Sequence, residues 1–327
     1  MIKRSTLEEK YRPTSLDGII GQEYIVKIFK GFVKSGNIPH MILVGEPGTG
    51  KTASAVALAR EMFGDDWREH FYGMNASDER KIDDMRNKVS VVAEEVPSKY
   101  NFKIIFLDEA DALTKDSQTA LRTIIEETSN VCRFIFSCNF PEKIIDPIVD
   151  RLCEFRFPSL KVEDMTKLLS DIIEQEDNIT MKPEAIKLLA KSSKGSMRKA
   201  ISMIGMFQDA MMTDISKEDI VQAFHLVDEE DIKRMVLATI KGDIKTVDKM
   251  IFDLSNHKVY SPKEILYTLK DVIMDAKTIP DKAKVMILYE LGEAEFKMIM
   301  GCKAEFQLSV LCSFMIKVFK KYMTKKE

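Results

Sequence analysis

Two short polar clusters, each at the C-terminal end of an apolar run, hold residue types suited to phosphate chemistry. The first is Gly45-Glu46-Pro47-Gly48-Thr49-Gly50-Lys51-Thr52, which fits G-x-x-x-x-G-K-[ST]. Glycines at 48 and 50 let the backbone turn sharply and aim its N–H groups inward, with no Cβ in the way. Lys51 brings a compact positive charge to the β- and γ-phosphates, and the Thr52 hydroxyl can ligate Mg2+. With average residue usage such a match arises by chance in about one chain in a hundred, and its setting lowers that further. The second cluster is Asp108-Glu109-Ala110-Asp111. Asp108 can hold Mg2+ through its water shell, while Glu109 can orient and deprotonate an attacking water. A bare acidic pair also suits a helix start, where the dipole favours negative charge. The upstream loop gives the pair its meaning, and the two clusters together predict a nucleotide site.

Strands and helices must bring these clusters to one place. Met41-Ile42-Leu43-Val44 reads as a buried strand entering the loop. After the loop, Ala55, Leu58, Ala59 and Met62 fall at i, i+3, i+4, i+7, the stripe of a helix whose positive N-terminus faces the phosphates. Ile104 to Leu107 form a second strong strand and deliver Asp108. A third, Arg133 to Cys138, delivers Asn139 to the same edge, and Phe71-Tyr72-Gly73-Met74 is a weaker strand. Alternation of strand and helix from 40 to 157 predicts a parallel sheet with helices on its faces, and ligands then sit at the strands' C-terminal ends. Beyond Pro158 strand-like runs disappear and helical periodicity takes over. One helical unit contains Gly195-Ser196-Met197-Arg198 at the head of an apolar helix. A second ends in a helix with the stripe Leu308, Leu311, Cys312, Met315 and Phe319, read as core or else as a face for a sister subunit. The predicted fold class is α/β followed by all-α, with domains at 1–158, 159–226 and 227–327.

Composition narrows the function classes. At 327 residues, 31% charged and 45% hydrophobic, the chain reads as two or three ordinary soluble domains. A formal net charge of −3 leaves nucleic-acid binding to a local basic face. There is no apolar run near membrane-spanning length, and Met1-Ile2-Lys3-Arg4 is no signal peptide. The 5 cysteines form no C-x-x-C pair, which predicts reduced thiols inside a cell, and the 4 histidines are too dispersed for a metal cluster.

With these residues goes a wider set: Glu9 to Pro13, Asn75-Ala76-Ser77-Asp78 with Ile82-Asp83 and Arg86-Asn87-Lys88, Gln118 with Ala120-Leu121-Arg122, Ser137-Cys138-Asn139, Pro147-Ile148, Phe155-Arg156-Phe157 and Gly195 to Ala200. In these the chain resembles the AAA+ clamp loaders, most closely the replication factor C small subunits of the archaeal type, over essentially its whole length. The resemblance implies that Arg12, Pro13, Ile19 and Ile20 border the adenine of ATP. It makes Asn139 a first sensor of the attacking water or γ-phosphate, and Arg198 a second sensor reaching the γ-phosphate from a helical lid. Arg151 matches an arginine finger acting on ATP held by a neighbouring subunit. Here the chain departs from the family, reading Asp150-Arg151-Leu152 where the motif has Ser-Arg-Cys. Asp150 either pairs with Arg151 or replaces the serine in holding the loop; the alternative is a structural arginine satisfied within its own subunit.

The resemblance also implies DNA contacts at Arg80 and Arg86, with Lys81 and Lys88 nearby and Lys115 a weaker candidate, reading backbone and shape rather than sequence. It implies an ATPase subunit, with sister small subunits and a large subunit in a pentamer, that opens a ring-shaped sliding clamp and loads it on primer–template DNA. No clamp-binding tail ends the sequence, so clamp contact would use the ATPase domain. The expected location is the cytoplasm of an archaeon, or the nucleus if the source is eukaryotic, with no membrane. A non-hydrolysing scaffold subunit is the alternative. A helicase-loading or Holliday-junction motor is less compatible with the Tyr11–Pro13 segment and an all-helical C-terminal block.

Overall fold

The structure, a computed structural model, describes residues 6–77, 89–93, 99–257 and 260–323. The polypeptide forms two compact units, Met1–Ile215 and Ser216–Glu327. Arg80, Lys81, Arg86 and Lys88, the basic group expected at DNA, lie outside the described residues.

The first unit is built on five parallel strands: β1 Met41–Gly45, β2 Phe71–Asn75, β3 Lys103–Asp108, β4 Cys132–Cys138 and β5 Cys153–Phe157, in the order β2-β3-β4-β1-β5. The three central strands are nearly continuous apolar runs because both faces of a parallel sheet are covered. Successive side chains point to opposite faces. Ile42, Val44, Ile105, Leu107, Phe134 and Phe136 therefore share one core with Leu121, Ile124 and Ile125. Met41, Leu43, Ile104, Phe106 and Ile135 share the other with Phe29, Ala55, Leu58 and Ala59. The edge strand β5 is mostly exposed or half-buried and has no apolar run to announce it.

The helices of this unit are α1 Leu7–Lys10, α2 Glu23–Ser35, α3 Lys51–Phe63, α4 Trp67–His70, α5 Lys115–Thr128, α6 Asp146–Val149, α7 Val162–Gln175, α8 Pro183–Ser192 and α9 Met197–Asp209. Helix α2 stops at Gly36, whose φ of 66° is the left-handed C-cap that glycine adopts at little cost. Helices α7 to α9 form the expected helical lid. A parallel pair of two-residue strands, β6 Thr180–Met181 and β7 Asp214–Ile215, lies within this otherwise helical lid. Two residues are too few to leave a period-2 pattern.

The second unit contains α10 Lys217–Ala223, α11 Glu229–Lys241, α12 Ile244–Phe252, α13 Pro262–Asp275, α14 Asp281–Ile299 and α15 Ala304–Met323. Leu308, Leu311, Cys312, Met315 and Phe319 are buried in its core beside Ile232, Val247, Leu269 and Ile287. The stripe of the last helix is thus core. An exposed apolar face lies elsewhere, on α14, at Val285, Tyr289, Phe296 and Ile299. Among the described residues no helix is long and apolar enough to cross a membrane.

Candidate nucleotide site

Strand β1 and α3 meet in the glycine-rich turn. Gly48 and Gly50 have φ of 84° and 103°, and Gly50 is the N-cap of α3, so the loop's conformation needs glycine at both places. A Cβ on Gly48 would lie 2.1 Å from Ser196 Oγ, because the lid comes directly onto the loop. The Met197 amide, at the head of α9, donates to the Gly48 carbonyl at 3.2 Å. Gln22 ties the loop down from the other side, donating from Nε2 to the Thr49 carbonyl (3.3 Å) and the Pro158 carbonyl (2.9 Å).

Two hydrogen bonds join this loop to the ends of β4, which lies beside β1, and of β3, one strand further along the sheet. Lys51 Nζ donates to Asn139 Oδ1 at 3.0 Å, and also to the carbonyls of Gly45 (2.6 Å) and Glu46 (3.0 Å). Burial holds the Lys51 ammonium below its usual pKa, and the charge of Asp108 offsets part of this. Thr52 Oγ1 donates to Asp108 Oδ2 at 2.8 Å, while Asp108 Oδ1 accepts the Glu109 amide at 3.1 Å. Asp111 Oδ1 accepts the Asn139 amide at 3.4 Å, a positioning role for the last acidic residue that its type alone does not reveal. Glu109 has φ 53° and ψ 39°, the left-handed region that a side chain other than glycine occupies only at a cost of about 1 kcal/mol or more.

A cavity of about 320 Å3 opens over these groups. Its lining includes Arg12, Pro13, Ile19, Ile20, Pro47 to Ala53, Asp108, Glu109, Asn139 and Arg198. The expected base-bordering, phosphate, acidic and sensor residues are thereby brought together. Gly45 and Glu46 stand behind the loop, where their carbonyls hold Lys51. Leu160, Leu168, Met197 and Ile201 complete an apolar wall that sequence reading missed. Met197 and Ile201 are four apart on the helix that carries Arg198, which is the signal that could have found them. Cys138 also faces the cavity, and burial pushes its thiol up to about 12, so it packs as a neutral group.

Thr52 and Asp108 present hard oxygen atoms 2.8 Å apart beside the phosphate loop, a donor set that fits Mg2+. Arg151 is placed differently. It lies just past α6, exposed, donating to the Pro147 carbonyl and paired with Glu126 at 2.5 Å. Lys115 opens α5 and is exposed.

A parallel sheet with this strand order, a glycine-rich turn into α3 and an acidic pair at the end of β3 define a P-loop nucleoside triphosphatase. Residues 41–159 match the ATPase family associated with various cellular activities (AAA). Residues 164–205 match the ATPase lid domain of DNA polymerase III clamp loader subunits, and residues 227–313 the replication factor C C-terminal domain. Replication factor C small subunits align over nearly the whole chain. That of Methanococcus maripaludis is 38% identical over 308 residues, covering 94% of this chain and 97% of the relative. That of Archaeoglobus fulgidus is 38% identical over 96% and 98%, and that of Sulfolobus acidocaldarius 39% over 92% and 92%. The RuvB motor of Thermotoga maritima shares the fold, with TM-score 0.54 and 20% identity, over 79% of this chain and 90% of that one. The chain belongs to the replication factor C small-subunit family. It is an ATP-binding AAA+ ATPase and a subunit of a clamp loader of DNA replication.

Proposed function

We propose that this chain converts ATP binding and hydrolysis into opening of a ring-shaped sliding clamp and its loading onto primer–template DNA. The observation that carries the reading is the pair of bonds Lys51–Asn139 and Thr52–Asp108, which set the phosphate-binding loop against the C-terminal ends of β4 and β3. In this reading Arg12, Pro13, Ile19 and Ile20 hold the base, and Lys51 and the loop amides hold the phosphates. Thr52 and Asp108 hold Mg2+, which supplies charge neutralisation at the phosphates when bound. Glu109 takes the proton of the attacking water, Asn139 orients that water, and Arg198 couples the lid to the γ-phosphate.

Free energy passes to the clamp and DNA only if the ATP-bound and ADP-bound conformations differ in affinity for them. The chain would work with sister small subunits and a large subunit in a pentamer, in the cytoplasm if the source is archaeal. Its own division into ATPase, lid and collar domains falls at 1–158, 159–226 and 227–327. Arg80, Arg86 and Lys115 would follow DNA phosphates without sequence preference. The exposed apolar face of α14 suits a collar that packs against sister subunits.

Arg151 is assigned as the finger for a neighbour's ATP, released from Glu126 and the Pro147 carbonyl on assembly. Its pairing within its own chain favours the second reading, a structural arginine in a scaffold subunit. Arg151→Ala in the assembled complex decides between them. The finger assignment predicts a fall in ATP hydrolysis of at least about a hundredfold, with ATP affinity retained; an unchanged rate removes the assignment.

A further inference from the structure

The short helix α1 and the residue after it are tied to the lid at a carboxylate, Glu176, that none of the phosphate chemistry requires. Glu176 caps the C-terminal end of α7, and its side chain is only 12% exposed. Oε1 accepts from Lys10 Nζ at 2.5 Å and from the Tyr11 hydroxyl at 2.7 Å, and Oε2 accepts from Gln208 Nε2 of α9 at 2.9 Å. Neither burial nor a helix C-terminus favours a carboxylate, since the dipole there attracts cations. A residue placed against both preferences and held by three donors marks a position where a local rule yields to another demand.

What Glu176 holds is the first half of the nucleotide strap. Tyr11 lines the cavity next to Arg12 and Pro13. Further along the same segment, Leu16 is buried in the sheet core and its amide donates to Glu61 Oε1 of α3 at 2.7 Å. The strap is therefore tied at Tyr11 to the lid and at Leu16 to the sheet. Between the ties run Arg12 and Pro13, and Ile19 and Ile20 follow just past the second tie. Two further contacts fix α1 to α9: Glu8 accepts from the Ser202 hydroxyl, and Leu7 sits where a Cβ on Gly205 would meet it at 3.5 Å.

We infer that Glu176 is a positioning residue for the base end of the nucleotide site, acting through Tyr11 to hold the Arg12-Pro13 strap against the bound base. It touches no nucleotide itself, and the inference rests on the ATP-site reading above. Because Tyr11 is carried by the lid and Ile19 and Ile20 by the sheet side, the base pocket is complete only while both ties hold.

The test is equilibrium binding of ATP, ADP and inorganic tripolyphosphate to the full chain by calorimetry, with thermal melting alongside. Glu176→Ala is expected to weaken ATP and ADP binding about five- to tenfold and to leave tripolyphosphate, which has no base, unchanged. Tyr11→Phe is expected to weaken the nucleotides about threefold, with the double variant no weaker than Glu176→Ala because the two act as one unit. Glu176→Gln keeps an acceptor for Tyr11 and should restore affinity to within about twofold even if its melting point falls. Unchanged nucleotide affinity in Glu176→Ala, an equal loss for tripolyphosphate, or strictly additive effects of the two substitutions would each overturn the inference. Lys51→Ala separates this failure from that of the site. If it abolishes ATP binding while Glu176→Ala does not alter it, only the role of Glu176 falls; if it leaves ATP affinity intact, the site reading falls and the inference with it.

Discussion

Lys51 illustrates what single residues do here before any ligand arrives. Its ammonium is buried and all three of its N–H donors are taken, by the Gly45 and Glu46 carbonyls and by Asn139 Oδ1, so the charge is held beside the cavity and a phosphate oxygen would replace one of these acceptors. His40 works at the opposite end of the same strand. Its Nδ1 accepts the Phe134 amide at 3.0 Å and its carbonyl accepts the Cys153 amide at 2.9 Å, which locks the entry of β1 between β4 and β5. Accepting at Nδ1 requires a neutral ring, and burial, helped by the charge of Arg133, lowers its pKa from 6.5 to about 4. The unfolded chain therefore takes up a proton that the folded chain refuses between these values. The His40 contribution is complete above about pH 6.5, declines as pH falls through that window, and levels off below about 4. His40→Asn offers an acceptor that does not titrate. Its urea midpoint should drop less between pH 7.5 and pH 5 than that of the unsubstituted chain; equal drops would contradict the assignment.

At the scale of elements, the site depends on polar residues that staple loops to helices. Gln118 of α5 is 1% exposed and donates to the carbonyls of Leu113 (3.2 Å) and Lys143 (3.0 Å) while accepting the Ile145 amide (2.8 Å). It thus joins the segment after the acidic cluster to the one that leads through α6 to Arg151. Gln118→Ala strands three backbone groups and should cost about 3 kcal/mol of unfolding free energy, read from denaturant titration; a change below about 0.5 kcal/mol would mean the loops satisfy themselves.

The elements that sequence disclosed best are those with a strong physical pattern. The central strands are unbroken apolar runs, and α3 is bounded by glycines that its turn requires. The edge strand β5 and the pair β6 and β7 were hidden because an edge has little to bury and two residues have no period. The same holds within the site: Lys51, Asp108 and Asn139 announce themselves by type and place. Glu176, Gln22 and Gln118 act through long-range bonds, across 165, 136 and 25 residues respectively, that no local window contains.

For the whole molecule, the second unit has a well-filled core and yet shows solvent four large apolar side chains on one face of α14. Val285, Tyr289, Phe296 and Ile299 recur at helical spacing and are 60–70% exposed, which is the pattern of a face meant to be covered. A double substitution, Tyr289→Asp with Phe296→Asp, should leave the chain folded, since neither side chain belongs to the core, and should release it from co-expressed clamp-loader subunits on size-exclusion chromatography. Co-elution at the unsubstituted volume would place the assembly face elsewhere.

In the proposed function hydrolysis is useful only when clamp and DNA are at hand, so the rate should answer to the two of them rather than to ATP alone. Steady-state ATP hydrolysis by this chain, co-expressed with its large subunit and measured with and without sliding clamp plus primer–template DNA, tests that most directly. The account predicts at least about tenfold stimulation by the two together, lost on Glu109→Gln. A rate indifferent to clamp and DNA would contradict it, leaving a nucleotide site whose hydrolysis drives something other than clamp loading.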